Sequence, residues 1–335
     1  MRRFILFLLA ALAWPMAAGA QSFDSQDWQV VCDNIRTCRA AGYQREHDEP
    51  AVSVLFTRLP GTRSPVFGEL QLGTMGNSPR PGNVKLMVGG KPAGTVAVNR
   101  DNRGQMGGAV VDALLHGLAA NSSVAFVAGK TTWRLSGDGA PAALAKMDEL
   151  QGRTGTASAM GRRGTLGDDN VVLPVTLPGV RAVRIAGRRP GDEELAGHVL
   201  AMIPHNDDCP LLDDGEARAD PRNAPRLWHL DANRVLVSVA CWRQGAAAGA
   251  GFWIANQKPP FAAHAVTLSA TAFDETSTLQ ATRKRDGGCG STEAWTWNGY
   301  DFEQTTASSH GLCRGVADGG AWELPTVVSD VTPAK

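Results

Sequence analysis

The residues with the clearest chemical potential lie in one acidic stretch and in the last fifty positions. Residues 205–220 read H-N-D-D-C-P-L-L-D-D-G-E-A-R-A-D, and a hard cation such as calcium wants several carboxylate and carbonyl oxygens gathered in one loop. Asp207, Asp208, Asp213, Asp214 and Glu216 are therefore the expected calcium set, with Asp220 beyond them and His205 and His229 flanking. The spacing departs from the EF-hand pattern of alternating acids, a central Gly and Glu at position twelve. A solvated loop tied down at Cys209 is the competing reading. Ser308-Ser309-His310 sets hydroxyls beside an imidazole, but sequence neighbours rarely face each other as nucleophile and base. The chain holds no G-x-S-x-G, S-x-x-K or H-E-x-x-H, and its seven histidines are scattered. The Gly-rich stretch 102–108 lacks the Lys-Ser/Thr ending of a phosphate loop. No catalytic residue is assigned, no cofactor other than calcium is expected, and the reading leans towards binding rather than catalysis.

A second candidate is aromatic. Asn298-Gly299 is a strong hairpin signal, because a two-residue type I′ turn needs positive φ at both central positions. Such a turn sets Trp297 opposite Tyr300 and Trp295 opposite Phe302, placing four rings on one face as a platform for sugar rings or peptide aromatics. The competing reading is a core face, since each buried ring contributes a few kcal/mol. Cys289 lies nine residues before Asn298 and Cys313 fourteen after Gly299. A hairpin with unequal arms must then loop out its surplus near residues 306–311, the expected place for exposed polar function.

Compartment follows from the ends and the cysteines. Arg2 and Arg3, an apolar run over residues 4–12 and Ala18-Gly19-Ala20 make residues 1–20 an expected export signal, cut before Gln21. No later segment approaches eighteen uncharged apolar residues, so membrane insertion is not expected. Without Arg2 and Arg3 the 33 basic residues fall to 31 against 33 acidic ones, a formal charge of minus two that offers nucleic acid nothing to bind. Six cysteines in an exported chain read as three disulfides. Fifteen connectivities are formally open; the spacing favours the sequential pairs Cys32 with Cys38, Cys209 with Cys241 and Cys289 with Cys313. So paired, they would contribute about 2.4, 3.7 and 3.5 kcal/mol in the chain-entropy picture. A structural zinc site would want a C-x2-C pair, which is absent.

The elements that must position these residues are short. Thirty-eight Gly and nineteen Pro punctuate the chain, and alternation marks strands around Trp28, residues 52–56 and residues 66–72, with a hairpin across Gly89-Gly90. Val111, Leu114, Leu115 and Leu118 recur at helical spacing. Ala143, Leu144, Met147 and Leu150 do the same behind Asp138 as an N-cap and Pro141 in the first turn. The second half is nearly all β: a proline-bearing pair of edge strands opens it near residues 171–185, residues 195–203 are strand or helix, and residues 245–251 form a small-residue turn. The expected fold is mainly β with a few short helices, α+β in the N-terminal half. It comprises two antiparallel sandwich-like or barrel-like domains stapled by disulfides, residues 21–160 and 165–335.

Two segments carry a resemblance. D-W-Q-V-V-C-D-N-I-R-T-C-R-A-A-G-Y at residues 27–43 is the first, and Cys289-Gly290, W-T-W-N-G at residues 295–299, Phe302 and Cys313-Arg314-Gly315 form the second. Together they resemble the signatures of an uncharacterised exported bacterial family, domain of unknown function 1176. Residues 142–156 and Cys241-Trp242 fit the same pattern. The family implies a Gram-negative envelope and disulfides but supplies no activity and no site residue. The N-terminal half is also similar to invasion-associated locus B proteins in its cystine loop and Ala-rich helix. The expected protein is periplasmic or secreted, and it binds a protein or an envelope polymer; a hydrolase acting on envelope polymers is the alternative. Intact mass spectrometry of the exported chain under non-reducing conditions should give a mass that starts at Gln21 with three disulfides intact. A mature mass that retains residues 1–20, or free thiols on more than one pair, would overturn this reading.

Overall fold

Runs of β-branched and aromatic residues separated by Gly, Asn and Pro fold into open antiparallel sheets. The computed structural model describes residues 21–75, 78–285 and 289–334; the expected export signal lies outside the described residues. In the N-terminal half a six-stranded sheet runs in the order Gln21–Ser25, Trp28–Cys32, Cys38–Tyr43, Val52–Arg58, Val66–Leu72 and Arg103–Met106. A four-stranded sheet runs Thr131–Leu135, Val124–Ala128, Asn83–Val88 and Lys91–Ala97. Period-two alternation sends Trp28, Val30, Val54, Phe56 and Leu70 into a core shared with the second sheet and with helices Gly108–Ala119 and Ala140–Leu150. The first helix comes close because Gly68 faces it: a Cβ there would stand 2.6 Å from a Val111 methyl. Gly89 and Gly90, at φ 55° and 76°, make the two-residue turn that pairs Val88 with Lys91.

The run at residues 142–156 turns out to build a buried polar knot. Arg58, its side chain 1% exposed, donates from Nη2 to Asp148 Oδ1 at 2.7 Å, from Nε to Gln151 Oε1 at 2.6 Å and from Nη1 to the Ser158 carbonyl at 3.0 Å. Asp148 also accepts the Met160 and Gly161 amides, at 3.0 and 2.8 Å. Arg153 reaches the Gly61 carbonyl and Ser158 Oγ, and Ser158 in turn donates to Asp168. Burying such charges costs several kcal/mol each unless the remaining donors and acceptors are satisfied, and here most are. The same knot holds residues 153–172 against the N-terminal half.

The C-terminal half is a sandwich. One sheet runs Arg226–His229, Arg234–Gln244, Ala247–Asn256 and His264–Ala270; the other runs Ala272–Phe273, Thr278–Lys284, Gly290–Trp297, Phe302–Ser309 and Leu324–Val327. Trp228, Leu236, Phe252, Ile254, Leu279, Trp297 and Phe302 fill the space between them. On the far side of the first sheet, helix Asp192–Leu200 and the turn Pro210–Leu212 cover Leu227, Val235, Val237 and Trp253. The structure joins Cys32 to Cys38, Cys209 to Cys241 and Cys289 to Cys313.

Beyond Cys313 the chain crosses to the N-terminal sheet. Val316, Ala321, Trp322 and Leu324 pack on Val31, Ala41, Tyr43, Ala51 and Leu55, the face opposite the main core. Trp322 Nε1 donates to Ser53 Oγ at 2.6 Å, Arg314 pairs with Asp27 at 2.8 Å, and Asn34 exchanges two bonds with the Val328 backbone at 3.0 and 2.9 Å. The Leu312 amide donates to the Tyr43 hydroxyl at 3.3 Å, and burial pushes that hydroxyl's pKa up. A Cβ at Gly311 would overlap the same hydroxyl.

Several expectations are corrected. Each sheet is open at both edges, so the barrel-like alternative fails. Asn298-Gly299 does not make a two-residue turn, since only Gly299 has positive φ (95°). Asn298 Oδ1 instead accepts the Tyr300 and Asp301 amides at 2.8 and 2.9 Å, lengthening the loop to residues 298–301 and pairing Trp297 with Phe302 and Trp295 with Gln304. The surplus on the Cys313 arm is not looped out at residues 306–311: a single-residue bulge falls at Thr305, the strand continues to Ser309, and the rest leaves for the other half. Asp138 is not a cap; Gly139 precedes the helix and Asp138 pairs with Arg45 at 2.8 Å. Residues 171–178 form no ladder, because Pro174 and Pro178 withhold donors, and the sole strand there is Gly179–Arg181, parallel to Asp330–Thr332. Of residues 195–203, those up to Leu200 belong to helix Asp192–Leu200 and the last three turn away beyond its end. Asp148→Ala should cost about 3–5 kcal/mol in urea unfolding by stranding a buried guanidinium, with Asp148→Asn costing less; a loss under about 1 kcal/mol for the alanine variant would show that the knot is not structural.

Candidate functional site

The sandwich interior is filled at one end and open at the other, and residue size decides which. Across the first sheet Trp228 pairs with Leu236 and Leu236 with Ile254, large residues that meet the opposite sheet. One step along, Arg226 pairs with Ser238 and Ser238 with Phe252; further along come Ala240 opposite Ala250, Ala250 opposite Ala270, and Arg243 opposite Ala248. Small side chains at these inward positions leave a cleft of about 280 Å³ with Ala272, Phe273 and Glu275 on its far wall. Its floor is a three-ring cluster: Trp228 stacks on Phe252 at 6.0 Å, and Phe273 stands edge-on to both, at 5.0 and 5.6 Å.

A β-bulge sets the direction of Arg243. The register shifts between Ala240 and Trp242, so Cys241 and Trp242 both lean to the helix-covered side, where Cys241 is fully buried in its bond to Cys209. Strict alternation would have pointed Arg243 away with Cys241; the extra residue returns it to the cleft face. Its Nη2 lies 3.4 Å from Asn223 Oδ1, and Asn223 is held by its own bond to the Ala217 carbonyl at 2.9 Å. Arg222 is engaged with Asp220 at 2.6 Å, and that bond, with the Arg222 amide, holds the Asp220 carboxyl down at about 2. Among the described residues Arg226 has no ion-pair partner.

The far wall is shaped by Asp274. Its Oδ1 accepts the amides of Thr276, Ser277 and Thr278 at 2.8, 2.8 and 2.9 Å, closing the turn that carries Glu275. Burial alone would raise this carboxyl, but the three amides outweigh it and hold it below the ordinary range.

The acidic stretch spends its carboxylates on itself. Asp214 caps a short helix by accepting the Glu216 and Ala217 amides at 2.9 and 3.0 Å. Asp213 and Asp207 clasp His205 at 2.5 and 3.0 Å, which raises the imidazole's pKa. Asp208 and Glu216 are exposed. Among the described residues no group of three or more His, Cys, Asp or Glu side chains comes together that could hold a metal ion. The four rings of the hairpin do not share one face: Trp297 and Phe302 are buried 5.5 Å apart, Trp295 is half-buried against the same core, and Tyr300 is 80% exposed at the loop. Ser308 donates to Glu323 at 3.2 Å rather than to His310. His229 is buried with Asp192 on Nε2 at 2.9 Å and Gln257 on Nδ1 at 2.7 Å, leaving neither nitrogen for a nucleophile.

Arg226, Trp228, Arg243, Phe252 and Phe273 were not marked by their sequence context. Residues 247–251, expected as part of a turn, are strand, and only Gly245-Ala246 bend. The available signal was Arg226 and Trp228 at period two, beside a strand of alanines too small to fill a sandwich. Because the folded-state Asp274 value is depressed, its contribution is present above the unfolded carboxylate range and fades as pH falls below about 4. Asp274→Asn should therefore lose under about 1 kcal/mol at neutral pH, after allowance for solvent screening, with the gap closing in acid; a gap that is constant with pH in urea titrations would refute the amide-cradle account.

No curated protein and no solved structure matches the chain. The likeness of the N-terminal half to invasion-associated locus B proteins is not shown. Residues 22–329, nearly all of the described chain, match the family described as "Protein of unknown function (DUF1176)", and the two cystine-bearing segments that signalled it are those that meet across the interface between the halves: the chain belongs to that family.

Proposed function

We propose that this is an exported binding protein of the bacterial envelope, periplasmic or secreted, that takes a ligand, or the end of a protein or polymer partner, in the cleft of its C-terminal sandwich. The observation that carries the reading is the open end of that sandwich: an aromatic floor, alanine walls and a polar rim are the usual make-up of a binding site. Three disulfides support an oxidising compartment, in line with the export signal expected at residues 1–20. Among the described residues no helix is long and apolar enough to cross a membrane.

Binding is favoured over hydrolysis by the side chains themselves. All six cysteines are in disulfides, and among the described residues no histidine is hydrogen-bonded to a serine or threonine, the contact through which an imidazole activates a hydroxyl. Native mass spectrometry after exposure to an envelope extract should find a stoichiometric adduct on the wild-type protein and none on Ala248→Trp, whose indole would occupy the cleft mouth from an exposed position. Equal adducts on both proteins would move the site elsewhere, and turnover of peptidoglycan or peptide substrates by the wild type would overturn the binding reading.

A further inference from the structure

We infer that the cleft selects an anionic ligand, whose carboxylate or phosphate is met by Arg226 and Arg243 while an apolar body lies between the alanine walls on the aromatic floor at Trp228. This rests on the reading of the cleft as the binding site. The rim decides the sign of charge. Arg222 is already paired with Asp220, whereas Arg226 has no ion-pair partner among the described residues and the side-chain hydrogen bond of Arg243 goes to the neutral Asn223 oxygen, with Asp220 feeling its charge only from a distance. Glu275 is the one carboxylate among the lining residues. Neither guanidinium is therefore held in an ion pair among the described residues, and guanidinium forks match carboxylate and phosphate oxygens bidentately.

Geometry points the same way. Arg226 lies opposite Ser238, and the bulge makes Arg243 the next inward position after Ala240, the second beyond Ser238, so the two arginines flank the floor about 13 Å apart along the strand. Both arginines line the cleft. Without the bulge Arg243 would share the buried side of Cys241, and the bond from Cys241 to Cys209 anchors the chain at the bulge itself. Low-polarity walls of alanine and aromatic carbon strengthen a charge pair formed at their edge. At about 280 Å³ the cleft is at or below the small end for ligand pockets, so it fits a small molecule or a chain end rather than a length of polymer.

The test is calorimetric titration of the full mature protein with three probes: indole-3-propionate, phenyl phosphate and the uncharged indole-3-propionamide. Anion probes should bind at least about tenfold more tightly than the amide and lose affinity with added salt. Arg226→Gln and Arg243→Gln should each weaken the anions about tenfold and leave the amide unchanged. Asp220→Asn, which keeps a capping oxygen but releases Arg222, should tighten them. Comparison of carboxylate with phosphate tells the two sources of anion apart. Amide binding equal to that of the anions, or anion binding unaffected by both arginine substitutions, would overturn the anion inference and leave the cleft reading intact. Failure of every probe on wild type would also overturn it; only an extract adduct that persists on Ala248→Trp removes the cleft as well. Circular dichroism melting of each variant separates misfolding from lost binding, and Arg226→Gln, at an exposed position, carries the test if the bulge variant unfolds.

Discussion

The central strands of the six-stranded N-terminal sheet are buried on both faces, and the second burial depends on chain that arrives almost three hundred residues later. Antiparallel sheets commonly leave one face to water, which is what gives their strands a clean polar alternation. Here Val31, Ala41, Tyr43, Ala51 and Leu55 are as buried as their inward neighbours because residues 311–324 lie over them. A strand that is apolar on both sides cannot slip by one residue without exposing one set and crowding the other, but neither face alone specifies its register. Specificity comes instead from polar pins along the crossing: Trp322 on Ser53, Arg314 on Asp27, and Asn34 on the Val328 backbone. Cys313 is held to Cys289 at the root of this crossing, so the sandwich and the first sheet share one stapled connection.

The knot around Arg58 works by a different logic. Hydrophobic burial would hold helix Ala140–Leu150 to its sheet through Ala143, Leu144 and Met147 without any ion pair. The knot adds direction. A guanidinium with three differently placed acceptors, on a helix, a side-chain amide and a loop carbonyl, is satisfied in only one arrangement of residues 58, 148, 151 and 158. It thereby fixes the irregular chain from Gly152 onwards, which carries little apolar surface with which to fix itself.

Much of this was legible in the sequence, and the failures share a cause. The stapled loop at Cys32, the strands of the first sheet, the Gly89-Gly90 hairpin and both N-terminal helices follow from local pattern, because there one face or one turn dominates. Asn298-Gly299 misled because Asn has two uses in a turn: it tolerates positive φ, or its side chain captures amides further on. The second won, aided by Arg234, whose guanidinium bonds the Gly299 and Tyr300 carbonyls and lies 5.0 Å over Trp297. In the acidic stretch composition cannot tell carboxylates that converge from carboxylates that cap and clasp their own loop, as Asp214, Asp207 and Asp213 do. The cleft was invisible for a further reason: a bulge breaks the period on which strand reading rests, and nothing local to Cys241 announces it.

That bulge also explains why the cleft can exist beside a well-packed core. Two sheets in face-to-face contact normally close by interlocking large residues along their whole length. The first sheet does so as far as Phe252 and Ile254, then changes both its residue size and its register within two positions. Small residues alone would let the opposite strands settle inward. What holds the walls apart is that each is fixed from behind: the strand of Ala240 by the disulfide from Cys241 to Cys209, and the turn of Glu275 by the three amides on Asp274. Neither support faces the cleft, so neither needs a ligand in order to form. The opening is therefore set by the fold itself, and a site formed in advance of its ligand is one that binding need not pay to order.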